Sequence, residues 1–414
     1  MSMATPGSRQ ARFLAKVQEK HRAEMAAELN QMAARPDYRP ELAYFLDLFS
    51  AGPSPSTVAQ RTGRPVTALL CLQAPLELFL AFGLHPFKIF SGSQVAGQIA
   101  APYLPALMCP MLRAAVGALS LETETDSGCA WVLPTTCDWV VKFPEAARLS
   151  GRTIPGALHW LELPHLKDSP RGRERWFSEV RALSDFLGTM AGRKLNRTSL
   201  LDAIAVFQQA RQRFTRLIEL KRAGQVPLVW FLLIAGAFFL DRAENWTAAV
   251  EKALPIFDQA APPGGRIFLA GSPICFPNFK LPHLLEEAGL TVAADDLCSS
   301  ERLFPAAVAF SDPSESGLLR ALAETYHQGC LCPTFADNER RVNNIWGALL
   351  GTDIKGVVFH VLKGCHPYDL ESLVLEETLK ARGLHFIKLE TDYTAEDSQN
   401  LLTRLEAFRR TLES

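Results

Sequence analysis

The stretch that most constrains this chain is GVVFHVLKGCHPYDLES, Gly356 to Ser372. Gly356–Lys363 reads as a buried β-strand. It stops at Gly364-Cys365-His366-Pro367, and a helix is expected to start near Tyr368–Glu371. A thiol at the carboxyl end of a buried strand, in the turn before a helix, lies where an open α/β sheet binds its ligands. The chain repeats this arrangement, and the repetition carries both the fold and the functional expectation.

Strand and helix signals alternate twice. In the first array the strand candidates are Arg64–Leu72, Pro86–Phe90, Cys129–Pro134 and Leu158–Leu163, with helices over Pro75–Gly83 and from Pro110. Pro110 suits a first helical position. In the second array the strands are Arg266–Ala270, Leu290–Ala294, Gly356–Lys363 and Leu384–Leu389. The helices there are Lys280–Gly289, Leu318–Tyr326, Asn338–Leu350, Leu370–Arg382 and Asp397–Glu413. Residues 10 to 60 carry a helical period. Residues 168 to 262 have no strand signal, and Ala261-Pro262-Pro263-Gly264-Gly265 ends them. Strands alternating with helices argue for parallel sheets. The expected fold is α/β, with two related Rossmann-like parallel-sheet domains at 63–167 and 264–414, an N-terminal helical segment at 1–62 and a helical middle segment at 168–263.

Composition excludes several classes. With 48% hydrophobic and 21% charged residues and a net charge of −1, the chain has no global attraction to nucleic acid or an anionic membrane. The N-terminus lacks the apolar core and cleavage site of a secretory signal. Val226–Leu240, VPLVWFLLIAGAFFL, is shorter than the ~20 apolar residues of a membrane span. It reads as a buried helix, with a re-entrant or interfacial segment as the alternative. A cytoplasmic protein with no membrane or nucleic-acid partner is expected, and its nine cysteines should be free thiols.

Cys71, Cys137, Cys275, Cys298 and Cys365 lie at or just past predicted strand ends. Cys109, Cys330 and Cys332 lie in loops before helices, and Cys129 begins a strand. Strand ends and helix starts offer N–H groups that stabilise thiolates. Four readings stay open: inert core cysteines, a structural zinc site, a nucleophilic cysteine such as Cys365 beside His366, and an iron–sulfur cluster held from dispersed loops. Zinc is disfavoured because only Cys330 and Cys332 are closely paired.

The matching pieces CLQAPLELFLAFGLHPFKIF (Cys71–Phe90), MCPMLR (Met108–Arg113), LPTTCD (Leu133–Asp138), LAGSPI (Leu269–Ile274), DDLC (Asp295–Cys298), YHQGCLCP (Tyr326–Pro333), GVVFHVLKGCHPYDLE (Gly356–Glu371) and IKLETDYTAEDSQNLLTRLEAF (Ile387–Phe408) carry a resemblance. On them the chain resembles the benzoyl-CoA reductase and 2-hydroxyacyl-CoA dehydratase family, including its single-polypeptide double-cubane branch. The resemblance implies that Cys109, Cys137 and Cys365 hold a 4Fe–4S cubane with one iron open. Cys71, Cys298, Cys330 and Cys332 are the implied candidates for the second half of an 8Fe double-cubane cluster. The implied activity is a lyase or oxidoreductase that passes low-potential single electrons to a small-molecule substrate, an acyl-CoA thioester. The resemblance also implies a separate ATP-dependent iron–sulfur activator that supplies the electrons, and no phosphate-loop motif occurs in this chain. A homodimer, or a heterodimer with a paralogous subunit, is implied. The sequence departs from part of that branch at Gly271-Ser272-Pro273, where a cysteine often replaces the serine.

Glu77, His366 and Tyr368 are the candidate catalytic residues. Each also has a structural reading: a solvated helix face or cap for Glu77, a turn role for His366 and Tyr368. Glu390, Asp392 and Arg404 are expected to form a buried ion-pair network, and His360 to be a core histidine. Two other functions remain open, a non-catalytic cluster-carrying partner subunit and a metal-free α/β binding protein.

Overall fold

The computed structural model describes residues 9–121, 129–150, 154, 156–258, 265–329 and 331–413. Cys330 and Ala261–Gly264 lie outside the described residues.

Three helices lead in: α1 (Arg9–Ala33), α2 (Ala43–Ser50) and α3 (Pro55–Thr62). Ser54 opens α3 with a reciprocal capping box to Thr57, and Gly63 closes it in the left-handed conformation at φ 65°. The first α/β array runs β1 (Val66–Leu69), α4 (Leu76–Ala81), β2 (His85–Lys88), α5 (Gln94–Ala100), α6 (Pro110–Leu121), β3 (Ala130–Pro134), α7 (Asp138–Val141), α8 (Phe143–Leu149) and β4 (Leu158–Leu161). A strand-free middle follows: α9 (Pro170–Ala191), α10 (Arg197–Arg222), α11 (Leu228–Ala237) and α12 (Ala243–Ala253). The second array runs β5 (Gly265–Gly271), α13 (Lys280–Glu287), β6 (Leu290–Asp295), α14 (Glu315–Gly329), α15 (Glu339–Leu349), β7 (Gly356–Leu362), α16 (His366–Lys380), β8 (His385–Thr391) and α17 (Ser398–Glu413).

The fold is α/β, as expected. Each array forms one four-stranded parallel sheet, in the orders β2-β1-β3-β4 and β6-β5-β7-β8. The two orders are the same when each array is counted from its own first strand. In both, the chain reverses its winding between the first and third strands, which opens a crevice at their carboxyl ends. β1, β3 and β7 are buried along their whole length, as strands covered by helices on both faces must be.

The apolar run after Val226 becomes α11, whose side chains are buried on almost every face. Such a helix belongs inside a core rather than at a surface. It joins the sheets: Leu69, Val132, Ile267 and Val358 share one apolar core with Trp230 and Phe231. Among the described residues, no helix is long and apolar enough to cross a membrane.

Three expectations are corrected. α16 starts at His366, two residues before Tyr368, because Pro367 takes the first turn, where its missing N–H costs nothing. α14 starts at Glu315 rather than Leu318. Glu390, Asp392 and Arg404 form no buried network. Glu390 and Arg404 are exposed, Asp392 pairs with Lys363 at 2.7 Å, and Arg404 donates to the Lys388 carbonyl at 2.7 Å. His360 is a core histidine as expected, hydrogen-bonded to the Ser272 carbonyl and the Thr391 hydroxyl at 3.1 and 2.7 Å.

Candidate functional site

Turns at strand ends and before helices bring six cysteines together as two sets, each drawn from both α/β arrays. The first contains Cys109, just before α6, Cys137, just before α7, and Cys365, just before α16. The Cys365 thiol donates to Cys109, and Cys137 lies close enough to interact electrostatically with both. That shared proton holds Cys109 below the usual thiol range and Cys365 well above it, while burial raises Cys137. Backbone N–H groups turn toward each sulfur: Met111 and Leu112 toward Cys109, Trp139 and Val140 toward Cys137, and Tyr368 toward Cys365.

Two other side chains complete this set. The Ser272 hydroxyl donates to Cys365 and accepts from the Leu362 N–H at 3.0 Å. Tyr393 is 8% exposed, its hydroxyl has no hydrogen-bond partner, and its electrostatic neighbours are Cys275 and Cys109. The approach of the Cys365 turn to the Cys109 turn depends on Gly364. Its φ is +75°, and a Cβ there would lie 2.0 Å from the Leu107 carbonyl oxygen. The Trp139 indole donates to the Gly364 carbonyl at 3.3 Å and covers the junction.

The second set is Cys71, Cys298 and Cys332. They line a cavity of about 60 Å³ with Gln73, Arg302, Tyr326 and Tyr368 in its wall. The buried side-chain oxygen of Gln73 has no partner. Burial raises Cys71 and pushes Cys332 up to about 12, although Arg302 and Arg341 pull Cys332 the other way. Arg302 donates to the Tyr368 hydroxyl at 3.0 Å and to the Leu331 carbonyl. Behind it Arg341 pairs with Glu371 at 2.6 Å and with Asp296. The Cys298 turn is fixed from below. The Lys221 ammonium, fully buried, lies 2.7 Å from both Asp295 and Glu301, and Asp295 also takes the Leu297 N–H at 2.9 Å.

The remaining expected residues fall in different places. Glu77 is fully buried, so the solvated-face reading is corrected. The Tyr326 hydroxyl donates to it at 2.8 Å and Arg211 reaches it at 3.4 Å; burial raises its carboxyl against the pull of Arg211. Tyr326 in turn lines the second cavity, so Glu77 stands one residue behind it. Tyr368 gives its backbone N–H to Cys365 but its side chain to the second set. His366 is exposed on the first turn of α16. Sequence reasoning missed Ser272, Arg302, Arg341 and Tyr393 as neighbours of the cysteines. The LETDY motif carries Tyr393, but its acidic residues give no sign of a neighbouring thiol.

Among the described residues no cysteine is disulfide-bonded, and no three His, Cys, Asp or Glu side chains converge tightly enough for a single metal ion. An iron–sulfur cubane places each thiolate on a different iron, so its ligands lie further apart than those of one ion.

The family model described as "2-hydroxyglutaryl-CoA dehydratase, D-component" matches residues 71–412. The dehydratase-subunit candidate YjiM of Escherichia coli K12 is 26% identical over 366 residues, covering 84% of this chain and 91% of the relative. The (R)-phenyllactyl-CoA dehydratase beta subunit of Clostridium sporogenes is 23% identical, covering 85% and 93%. The (R)-2-hydroxyglutaryl-CoA dehydratase subunit beta of Acidaminococcus fermentans is 22% identical, covering 87% and 96%. The match begins at Cys71, just past β1, and takes in the other three strands of the first sheet, the whole second sheet and both cysteine sets, and on it the chain belongs to the 2-hydroxyacyl-CoA dehydratase family, as a relative of its D-component subunits.

Proposed function

We propose that this chain is a subunit of a 2-hydroxyacyl-CoA dehydratase in which Cys109, Cys137 and Cys365 hold a 4Fe–4S cluster. The observation that carries the reading is the convergence of three thiols from three separate strand-to-helix or loop-to-helix turns, with backbone N–H groups aimed at each sulfur. The donor set suits such a group. Thiols are the soft ligands that iron–sulfur clusters take. The orphaned Tyr393 hydroxyl would gain an acceptor if a sulfide-bearing group were held beside Cys109. Three thiols leave one position of a four-iron group for an outside ligand. Bound there, the group supplies low-potential one-electron chemistry.

The chain's own residues do the rest. The N–H groups and the Ser272 hydroxyl stabilise negative charge on sulfur, which tunes a bound cluster. Cys109 is 5% exposed and Trp139 covers the Gly364 junction, while Cys137 and Cys365 are partly exposed. Cys71, Cys298 and Cys332, with Cys330, are the ligand candidates for a second cluster, with Arg302 and Tyr368 as its neighbours and Glu77 behind Tyr326. The overall reaction is loss of water from a 2-hydroxyacyl thioester in the cytoplasm. Two partners complete the enzyme: an ATP-dependent iron–sulfur activator, and a paralogous subunit or second copy of this chain. The designation of two relatives as beta subunits supports the second partner.

Anaerobic purification tests the proposal. About four irons and four sulfides per chain are expected for one cluster and about eight for two, with Cys365→Ser lowering the count. A colourless chain without iron after anaerobic reconstitution overturns it.

A further inference from the structure

We infer that the apolar cavity between the carboxyl ends of the two sheets is the pocket for the acyl substituent of the substrate, and that it selects an aromatic or branched aliphatic group over a carboxylate-bearing one. This rests on the reading that the chain acts on an acyl thioester.

The cavity measures about 130 Å³. Its wall includes the end of β2 with the turn after it, Phe87–Ser91, and the turn that follows β5, Ile274–Pro277, so it lies at the sheet ends that bind ligands in this architecture. It adjoins the cysteines: Cys275 and Ser299, the neighbour of Cys298, are in its wall, and Leu303 is shared with the Cys71–Cys298–Cys332 cavity. Apart from these, from Lys88 and Ser91, and from His21, which is hydrogen-bonded to Ser93 at 2.8 Å, the wall is aromatic and aliphatic. Phe49 and Phe276 pack with ring centroids 4.6 Å apart, and Gly236 lets α11 approach Phe49, since a Cβ there would lie 3.2 Å from the ring. An apolar cavity of about 150 Å³ admits a benzene ring, so this one holds one ring or a short branched chain.

One cation faces these walls. The Lys88 ammonium lies 4.0 Å from the Phe90 ring centre and donates to the Cys298 carbonyl at 3.4 Å. An ammonium carries three N–H donors, so Lys88 can also take the carbonyl oxygen of a thioester. A second, carboxylate-bearing end would then sit unpaired among phenyl rings, which burial penalises heavily. The half-exposed wall residues His21, Ala118 and Leu119 mark the mouth between α1 and α6.

The test is ligand preference by the full chain, purified anaerobically and read by calorimetry. The probes are 3-phenylpropanoyl-CoA and glutaryl-CoA, neither of which has a 2-hydroxyl to lose, and the corresponding free acids. We expect the phenyl thioester to bind at least about tenfold more tightly than the glutaryl one, the discrimination typical of an apolar pocket. Ala118→Trp should erase the preference while the iron content stays unchanged. Equal binding of the two thioesters by the unaltered chain overturns the pocket and leaves the thioester reading intact. Selective binding of the phenyl acid with no binding of either thioester leaves the pocket and overturns the thioester reading. Absence of binding by all four probes overturns both.

Discussion

Gly364 sets how closely the two sheets' cysteine turns approach, and replacing it with alanine measures that role. Its φ of +75° is left-handed, a conformation that costs an L-residue roughly 1–2 kcal/mol. The new Cβ would also lie 2.0 Å from the Leu107 carbonyl oxygen and 3.0 Å from the Leu107 carbonyl carbon. Carbonyl backbone cannot yield as a flexible side chain does. The turn carrying Cys365 must therefore retreat from the turn carrying Cys109, by more than an ångström if the contact is to become ordinary. Overpacking of this kind adds roughly 1–3 kcal/mol, so Gly364→Ala should destabilise the chain by about 2–5 kcal/mol in all. Gly383 supplies the control: its φ is +81°, but a Cβ there meets nothing within 4 Å. Gly383→Ala should show only the conformational cost, about 1–2 kcal/mol, and keep a full iron complement. The assay pairs denaturant unfolding with iron and sulfide analysis after anaerobic reconstitution. If Gly364→Ala matches Gly383→Ala in both stability and iron content, the reasoning about this junction is wrong.

Three further outcomes are expected. Lys221→Met leaves Asp295 buried without a cation and Glu301 with Arg222 alone, and should cost about 3–5 kcal/mol in unfolding experiments; a loss below about 1 kcal/mol would refute the need of this buried pair for its cation. Burial pushes His85 and His360 down to about 4 from an ordinary 6.5, so both stay neutral in the folded chain while the unfolded chain protonates them. Stability is then complete above about pH 6.5 and falls as pH drops toward 4, by up to roughly 3 kcal/mol per histidine; His360→Gln should flatten that slope, and an unchanged pH profile counts against the assignment. Tyr393→Phe removes an unpaired hydroxyl, so unfolding stability should stay within about 1 kcal/mol, while a lower reduction potential of the bound cluster is expected once a hydrogen bond to it is lost; an identical potential would separate Tyr393 from the site.

The parallel sheets were legible because strands such as Gly356–Leu362 are continuous apolar runs and their helices keep a clear period. The strand-end position of Cys365 follows directly from that reading. The start of α16 did not, because Gly-Cys-His-Pro reads locally as a loop, although Pro367 fits a first turn equally well. The grouping of Cys109 with Cys365, and of Cys71 with Cys298 and Cys332, rested on resemblance, since partners more than 200 residues apart leave no local spacing. The same limit hid Ser272 from Cys365 and Lys88 from Cys298. Charge pattern misled at Glu390 and Arg404, where a strand next to a helix suggests pairing but both side chains face solvent.

Because each cysteine set takes members from both α/β arrays, neither is finished when the first sheet has been made. Cys109 and Cys137 leave the ribosome before Cys365, and Cys71 before Cys298 and Cys332. The first sheet therefore emerges with two thirds of one set and one third of the other. On the proposed function, loading of the first set follows synthesis through β7 and Cys365, and products truncated before Cys365 should carry less iron.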